Sequence, residues 1–393
     1  MTSVEAAAVE HVRAAPMLAQ VEEWAAVNSG THNLAGLATM AGLLGDAFAA
    51  LPGAVALVEP EPAERVTPEG RVEAVAHGQH LTVTVRPDAP VQLLLTGHMD
   101  TVYPADHAFQ VVARDGDRLH GPGTADMKGG IALMLAALQA VEASALAERV
   151  GYQVLINSDE ETGSFSSARL IDRLAAGKHA ALTYEPALPD GRLVGARSGT
   201  GNFAIIVTGR AAHAGRNPDD GRNAILAAAD LALRLERAKG PRLSVNPARI
   251  DGGGPNNVVP DRAVLRVNFR PATRDDMARA KAHLDAAVAM VAAEREVEIA
   301  VHGSFNRPPK PIAGAEPLFN TVRAAGAALG LALGWSPSGG VCDGNNIAAV
   351  GVPVVDTMGA VGGAIHSPDE YLLIDSLAER AALSALTMLR LAA

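Results

Sequence analysis

The sequence predicts an α/β fold interrupted by an inserted β-α-β-β-α-β unit, and three observations predict it. Short β-rich runs alternate with helix-period segments through the first half of the chain, which calls for a sheet covered by helices. From Ser198 the order becomes strand, helix, strand, strand, helix, strand, the ferredoxin-like pattern. After a proline-rich stretch, Asn306-Arg307-Pro308-Pro309-Lys310-Pro311, which reads as a linker, the first pattern resumes. Residues 1–197 and 307–393 are thus expected to form one discontinuous α/β domain, and 198–306 the insertion.

In chain order, Val91–Leu95 reads as a strand, Gly130–Val141 as an apolar helix and Tyr152–Ile156 as a second strand. A helix near Ser166–Ala176 and a strand Ala181–Tyr184 follow. The insertion reads as strand Asn202–Thr208, helix Arg222–Arg237, strands Arg242–Ile250 and Arg262–Phe269, helix Asp275–Ala293 and strand Val297–Val301. A helix over 316–329, a strand Val352–Asp356 and a last helix Ile374–Leu391 close the chain. No repeat or low-complexity tract stands out beyond alanine richness.

Composition narrows the function. A chain of 393 residues that is 48% hydrophobic and 19% charged can bury a large core. Its formal net charge of −10 gives no general attraction to nucleic acid or an anionic membrane surface, so neither is an expected partner. The single cysteine, Cys342, rules out an intrachain disulfide and a thiolate zinc cluster. The N-terminus lacks a basic then apolar leader pattern, and no apolar run reaches transmembrane length, so a cytoplasmic protein is expected.

Acids and histidines gather where ligand sites form in open sheets, at the carboxyl ends of strands. The first strand runs into Thr96-Gly97-His98-Met99-Asp100-Thr101, where imidazole and carboxylate can face one side of extended chain. One can bind metal while the other orients it, although the pair suits a structural role equally well. The turn Gly121-Pro122-Gly123-Thr124-Ala125-Asp126-Met127-Lys128-Gly129-Gly130 places a carboxylate before the apolar helix. It also reads as a capping Asp or an anion cradle, but its spacing fits neither common phosphate fingerprint. Asn157-Ser158-Asp159-Glu160-Glu161-Thr162-Gly163 ends an apolar strand in adjacent acids, which repel unless a cation or proton compensates. Two acids in separate roles, ligand and general base, account for such a pair. Tyr184-Glu185-Pro186 and Ala364-Ile365-His366-Ser367-Pro368-Asp369-Glu370 add another carboxylate and another histidine. Together His98, Asp126, Glu161, Glu185 and His366 form an oxygen- and nitrogen-rich set suited to zinc, cobalt or manganese.

With these motifs in this order, from Val27-Asn28-Ser29-Gly30-Thr31 to the final helix, the chain resembles the M20 metallopeptidases, in particular their carboxypeptidase G2 branch. The resemblance implies a zinc-peptidase-like α/β catalytic domain with an inserted lid and dimerisation domain, and a homodimer. It implies two zinc ions per subunit, with cobalt or manganese as substitutes. His98, Asp126 and Glu185 would hold one ion, and Asp126, Glu161 and His366 the other. Asp100 would orient His98, Glu160 would be the general base, and the Asp126-Met127 peptide would be cis.

For substrate, the resemblance implies an oxyanion donor in His213, within Gly209-Arg210-Ala211-Ala212-His213-Ala214-Gly215. It pairs Asn257 of Asn257-Val258-Val259-Pro260 with Arg270 to bind the substrate's amide and free carboxylate; Arg suits a carboxylate because its planar fork pairs bidentately. Gly340, in Ser338-Gly339-Gly340-Val341-Cys342-Asp343, would lie against the substrate, in a loop where Val-Cys stands in place of the family's usual Thr. Arg307 and Arg192 are further candidates for side-chain recognition, while His120 and Cys342 read as structural.

The expected activity is hydrolysis of the amide bond of a small N-acyl amino acid or peptide with a free carboxylate, releasing an acidic C-terminal residue. A deacylase of the acetylornithine or succinyl-diaminopimelate type is the alternative within hydrolases. A catalytically silent binding protein is the alternative outside them, and retention of Glu160 beside the whole ligand set argues against it.

Overall fold

The computed structural model describes residues 1–393. Its largest sheet has six strands in the order Ala54–Val58, His80–Val85, Val150–Asn157, Val91–His98, Ala180–Thr183, Val354–Val355. The first two pair antiparallel with their neighbours, and the last four run parallel. Parallel strands are covered on both faces and need apolar side chains on both. Accordingly Leu93, Leu94 and Leu95 are all buried. The α/β expectation holds, with the central elements close to their sequence-derived bounds.

Helix Gly129–Glu142 explains its own position. It is apolar around nearly its whole circumference, which only a buried helix tolerates, and Gly129 through Leu138 are buried without interruption. Gly130 lets it approach the sheet: a Cβ there would stand 2.1 Å from the Tyr184 carbonyl oxygen. Gly130→Ala is therefore expected to cost about 1–3 kcal/mol by overpacking. Thermal unfolding tests this, and a variant that melts with the wild type would mean the helix shifts freely.

The second sheet runs Leu243–Gly252, Arg262–Pro271, Thr200–Thr208, Glu298–Arg307, all antiparallel. Helices Ala224–Glu236 and Arg274–Arg295 cover one face, and 18 buried residues from both layers form a separate core. On the other face a hairpin, Ala63–Val66 with Val72–Val75, reaches across from the first part of the chain. Val66 packs there with Ile206 and Val264, and Arg266 donates to the Val66 carbonyl at 2.9 Å.

The linker reading of Asn306–Pro311 is overturned. Arg307 ends a strand and Lys310 forms a bridge with Arg197, and both side chains are buried. The physical reason is charge: Arg197 and Lys310 both pair with the buried Asp356, at 2.8 and 3.0 Å. Prolines around two arginine-class charges imitate a solvated linker in sequence, whereas here they frame an interior ion cluster.

Candidate metal centre

The parallel strands bring the first ligand candidates to one edge. His98 pairs in register with Asn157, so the chain beyond it, where Glu160 and Glu161 lie, emerges beside the imidazole. Thr96 pairs with Thr183, which brings Glu185 up on the other side. Asp126 and His366 do not follow strand ends, contrary to the sequence reading. Asp126 sits in the tight turn Thr124–Lys128 before the buried helix, and His366 in a loop at φ +61°. The Asp126-Met127 peptide is cis, as expected.

Asp126 lies between the two histidines. Its Oδ1 is 3.1 Å from His98 Nε2 and its Oδ2 is 3.2 Å from His366 Nε2. His366 Nε2 is also 3.2 Å from Glu161 Oε2, and His98 Nε2 is 3.9 Å from Glu185 Oε1. The structure thus gathers His98, Asp126, Glu161, Glu185 and His366, with Glu160 close enough to His98 and Glu185 for their ligand atoms to lie within 4.8 Å of one another.

Asp100 acts on this centre in two ways. Its backbone carbonyl is 3.0 Å from His98 Nδ1, nearer than its carboxylate at 3.4 Å, so main chain does most of the orienting. The carboxylate instead accepts the Glu160 and Glu161 N–H groups, each at 3.2 Å, and the Thr31 hydroxyl at 2.7 Å. It therefore ties the acidic turn to the histidine strand.

Electrostatically the centre suits a cation. Burial, with the nearby Asp126 charge, pushes Glu161 up to about 8. Burial also raises Glu160 to about 7 against the opposing Arg307 charge, and holds Glu185 well above the usual carboxylate range with help from Glu160 and Asp126. Asp126 is buried too, but hydrogen bonds from His366 and His98 outweigh that and hold it low. Its own hydrogen bond and Glu161's raise His366 to about 11. Buried carboxylates that repel one another this strongly are relieved by a positive ion. Glu160 Oε1 and Glu185 Oε1 have no hydrogen-bond partner, and buried polar oxygens of that kind call for one. The residues present therefore fit a metal site with oxygen and nitrogen ligands.

Three neighbours, Arg307, Asp343 and Asp159, take positions that the sequence did not assign to them. Arg307 Nη2 is 2.8 Å from Glu160 Oε1, an ion contact too misaligned to be a hydrogen bond, and it donates to the Glu160 carbonyl at 3.0 Å. Its contacts thus hold the acidic turn. Asp343 accepts from Asn157 at 2.8 Å, Ser164 at 2.5 Å and Arg307 at 3.2 Å. Asp159, the first acid of the turn, is spent on Ser166 and Ser167. A buried strand end followed by Ser-rich chain was the available signal for that.

The substrate candidates are more scattered. Arg270 is half-buried, donates to Asn268 at 3.0 Å and is held below the usual arginine range by burial and by the charge of Arg307. Gly340 is exposed, and its carbonyl accepts from Arg197 at 3.3 Å. His213 and Asn257 are exposed on the second sheet's unit, with His213 Nδ1 accepting from Gly215 and Arg216, and they are not brought to this centre. Arg192 is exposed and pairs with Asp190, away from the cluster. His120 lies in a strand beside Tyr371, and Cys342 is buried, both in structural positions.

The sequence profile of peptidase family M20/M25/M40 matches residues 94–390. Carboxypeptidase G2 of Pseudomonas sp. (strain RS-16) is 31% identical over 330 residues, covering 80% of this chain and 78% of that protein. Succinyl-diaminopimelate desuccinylase of Verminephrobacter eiseniae (strain EF01-2) is 28% identical over 308 residues, covering 72% and 75%. Among solved structures, a tripeptidase of Staphylococcus aureus has a TM-score of 0.73 at 24% identity, covering 96% of this chain and 98% of that one. An M20 family metallo-carboxypeptidase of Sulfolobus solfataricus has a TM-score of 0.72 at 16% identity, covering 95% and 98%. At these identities the structural likenesses bear on the fold. No helix is long and apolar enough to cross a membrane.

Proposed function

Because the chain belongs to the M20/M25/M40 peptidase family, whose members are metal-dependent hydrolases, we propose that it hydrolyses the amide bond of an N-acyl amino acid or short peptide bearing a free carboxylate, releasing an acidic C-terminal residue. The observation that carries this reading is the division of Asp126 between His98 and His366, at 3.1 and 3.2 Å, with Glu160 buried alongside. A relative named as a carboxypeptidase supports cleavage next to a free carboxyl end.

In this reading His98, Asp126 and Glu185 would hold one zinc ion, and Asp126, Glu161 and His366 a second, with cobalt or manganese as substitutes. When bound, such ions polarise the scissile carbonyl and lower the pKa of an attacking water. Glu160 takes the proton of that water as its oxygen bonds to the carbonyl carbon. The same carboxylic acid returns the proton to the leaving nitrogen as the C–N bond breaks. Arg307 and the Asp100 carboxylate keep the Glu160 turn in place throughout.

Arg270 pairs its planar guanidinium with the substrate carboxylate, and the Gly340 backbone lies along the substrate. His213 and Asn257, exposed on the four-stranded unit, serve the other subunit's site in a homodimer, His213 as oxyanion donor.

The test is a substrate panel on metal-replete wild type and Arg270→Ala: N-acyl-glutamate, N-acyl-aspartate, N-acetylornithine, dipeptides, and the same compounds with the carboxylate amidated. Acidic carboxylate-bearing amides should be cut fastest. Losing a charge-assisted pair of about 1.5–3 kcal/mol should raise KM in Arg270→Ala by about 10- to 100-fold while kcat changes little. Equal activity on amidated compounds, or none on any carboxylate-bearing amide, would reject the proposal. The desuccinylase relative favours a second reading, a deacylase of small diamino acids. Preference for acetyl- or succinyl-diamino acids over every acidic substrate would select it.

A further inference from the structure

Glu370 is 1% exposed and makes no ion pair within contact distance, although it feels the charge of the buried Lys128. A buried carboxylate without a cation is costly unless hydrogen bonds satisfy it. Here they come from one place. Oε1 accepts the Ala125 and Asp126 N–H groups at 3.0 and 3.1 Å, and Oε2 accepts the Gly123 N–H at 3.3 Å. The Tyr103 hydroxyl lies 2.8 Å from both Oε2 and the Ser367 carbonyl oxygen.

This carboxylate therefore grips the turn that carries Asp126, through the backbone of Asp126 itself. Glu370 stands on the same loop as His366, and Tyr103 follows closely after His98 and Asp100. The Glu370–Tyr103 pair thus joins the chain segments bearing His98, Asp126 and His366. A carboxylate shared between two histidines tolerates little displacement, because each oxygen must keep its own direction.

We infer that Glu370 is a positioning residue for the metal centre: by fixing the Gly123–Asp126 backbone, it makes Asp126 present one oxygen toward each histidine before any cation arrives. The inference rests on the reading of Asp126 as a shared ligand. Glutamine at 370 keeps the size but replaces one acceptor oxygen by an NH2 donor, which then faces either main-chain N–H groups or the Gly123 N–H and Tyr103 hydroxyl. Tyr103→Phe removes one contact and leaves the carboxylate.

The experiment measures zinc affinity of the full chain by competition with a chromophoric chelator, for wild type, Glu370→Gln and Tyr103→Phe. It also records the visible absorption of the cobalt-loaded proteins and thermal unfolding of the metal-free proteins. Loss of outer support of this kind lowers metal affinity about 10- to 100-fold, which is the expected result for Glu370→Gln, with altered cobalt bands, unchanged metal-free melting and a smaller loss in Tyr103→Phe. Affinities within about twofold of wild type in both variants overturn it, as does a loss in Glu370→Gln matched by lowered metal-free stability while Tyr103→Phe is unaffected. If Glu370→Gln does not fold, Tyr103→Phe decides: weaker zinc binding supports the inference and unchanged binding overturns it. Wild type that binds no zinc removes the shared-ligand reading and this inference with it, a result distinct from tight binding that ignores residue 370.

Discussion

Glu160→Gln is expected to lower kcat by about 10²- to 10⁴-fold while metal content stays at the wild-type level, since a positioned general base contributes on that scale. The side chain is buried, its Oε1 has no hydrogen-bond partner, and Arg307 is the cation in direct contact with it. Glutamine fills the same space and keeps the backbone contacts from Asp100, so the ligand residues should stay in place. Steady-state kinetics with metal analysis on the same sample makes the measurement. If activity and metal were lost together, Glu160 would be a ligand and not a base, which its closeness to His98 and Glu185 makes a meaningful alternative.

How far the sequence foretold this site depended on how local each signal was. His98, Glu160, Glu161 and Glu185 follow apolar strands, so a period of two and a strand end were enough to place them. Asp126 and His366 were legible only through the motif, because a tight helical turn and a loop leave no periodic trace. Glu370 was given no role of its own in the motif that carries His366, because its partners are mostly main-chain N–H groups that any sequence would offer. Arg307 and Lys310 were misread for a related reason: their burial depends on Glu160, Asp343 and Asp356, distant in sequence. The paired hairpin Ala63–Val66 and Val72–Val75 was missed because its strands are only four residues long and interrupted by charged Glu64, Arg65 and Glu73.

Asp126→Ala should have the larger effect. Asp126 alone comes within 3.2 Å of both histidines, so on the proposed ligand set its loss strips a ligand from each half of the centre. Removing one partner of a buried charged pair costs about 3–5 kcal/mol, or about 10²- to 10⁴-fold in affinity. If the centre holds two zinc ions as proposed, the change acts on both halves and should leave none bound at micromolar metal and reduce hydrolysis to background. Metal analysis after gel filtration checks it. Retention of one tightly bound ion would mean that Asp126 serves a single ion. Retention of two would mean that the histidines are held by other carboxylates.

The bridge between Arg197 and Lys310 also bears on the order in which the chain can assemble. The edge strand Val354–Val355 must find Ala180–Thr183 across the whole four-stranded unit. Lys310 already bonds carbonyls as far as 116 residues back, at Val194. Closing so long a loop as flexible chain carries an entropic penalty that grows with its length. Once the segment from Thr200 to Arg307 has folded on its own core, its two ends stand one bridge apart, and the loop left to close between Thr183 and Val354 is shorter by the whole length of that segment. A pairing remote in sequence is thereby brought within a shorter loop, and the strand that leads into Glu185 gains its outer neighbour at a smaller entropic cost.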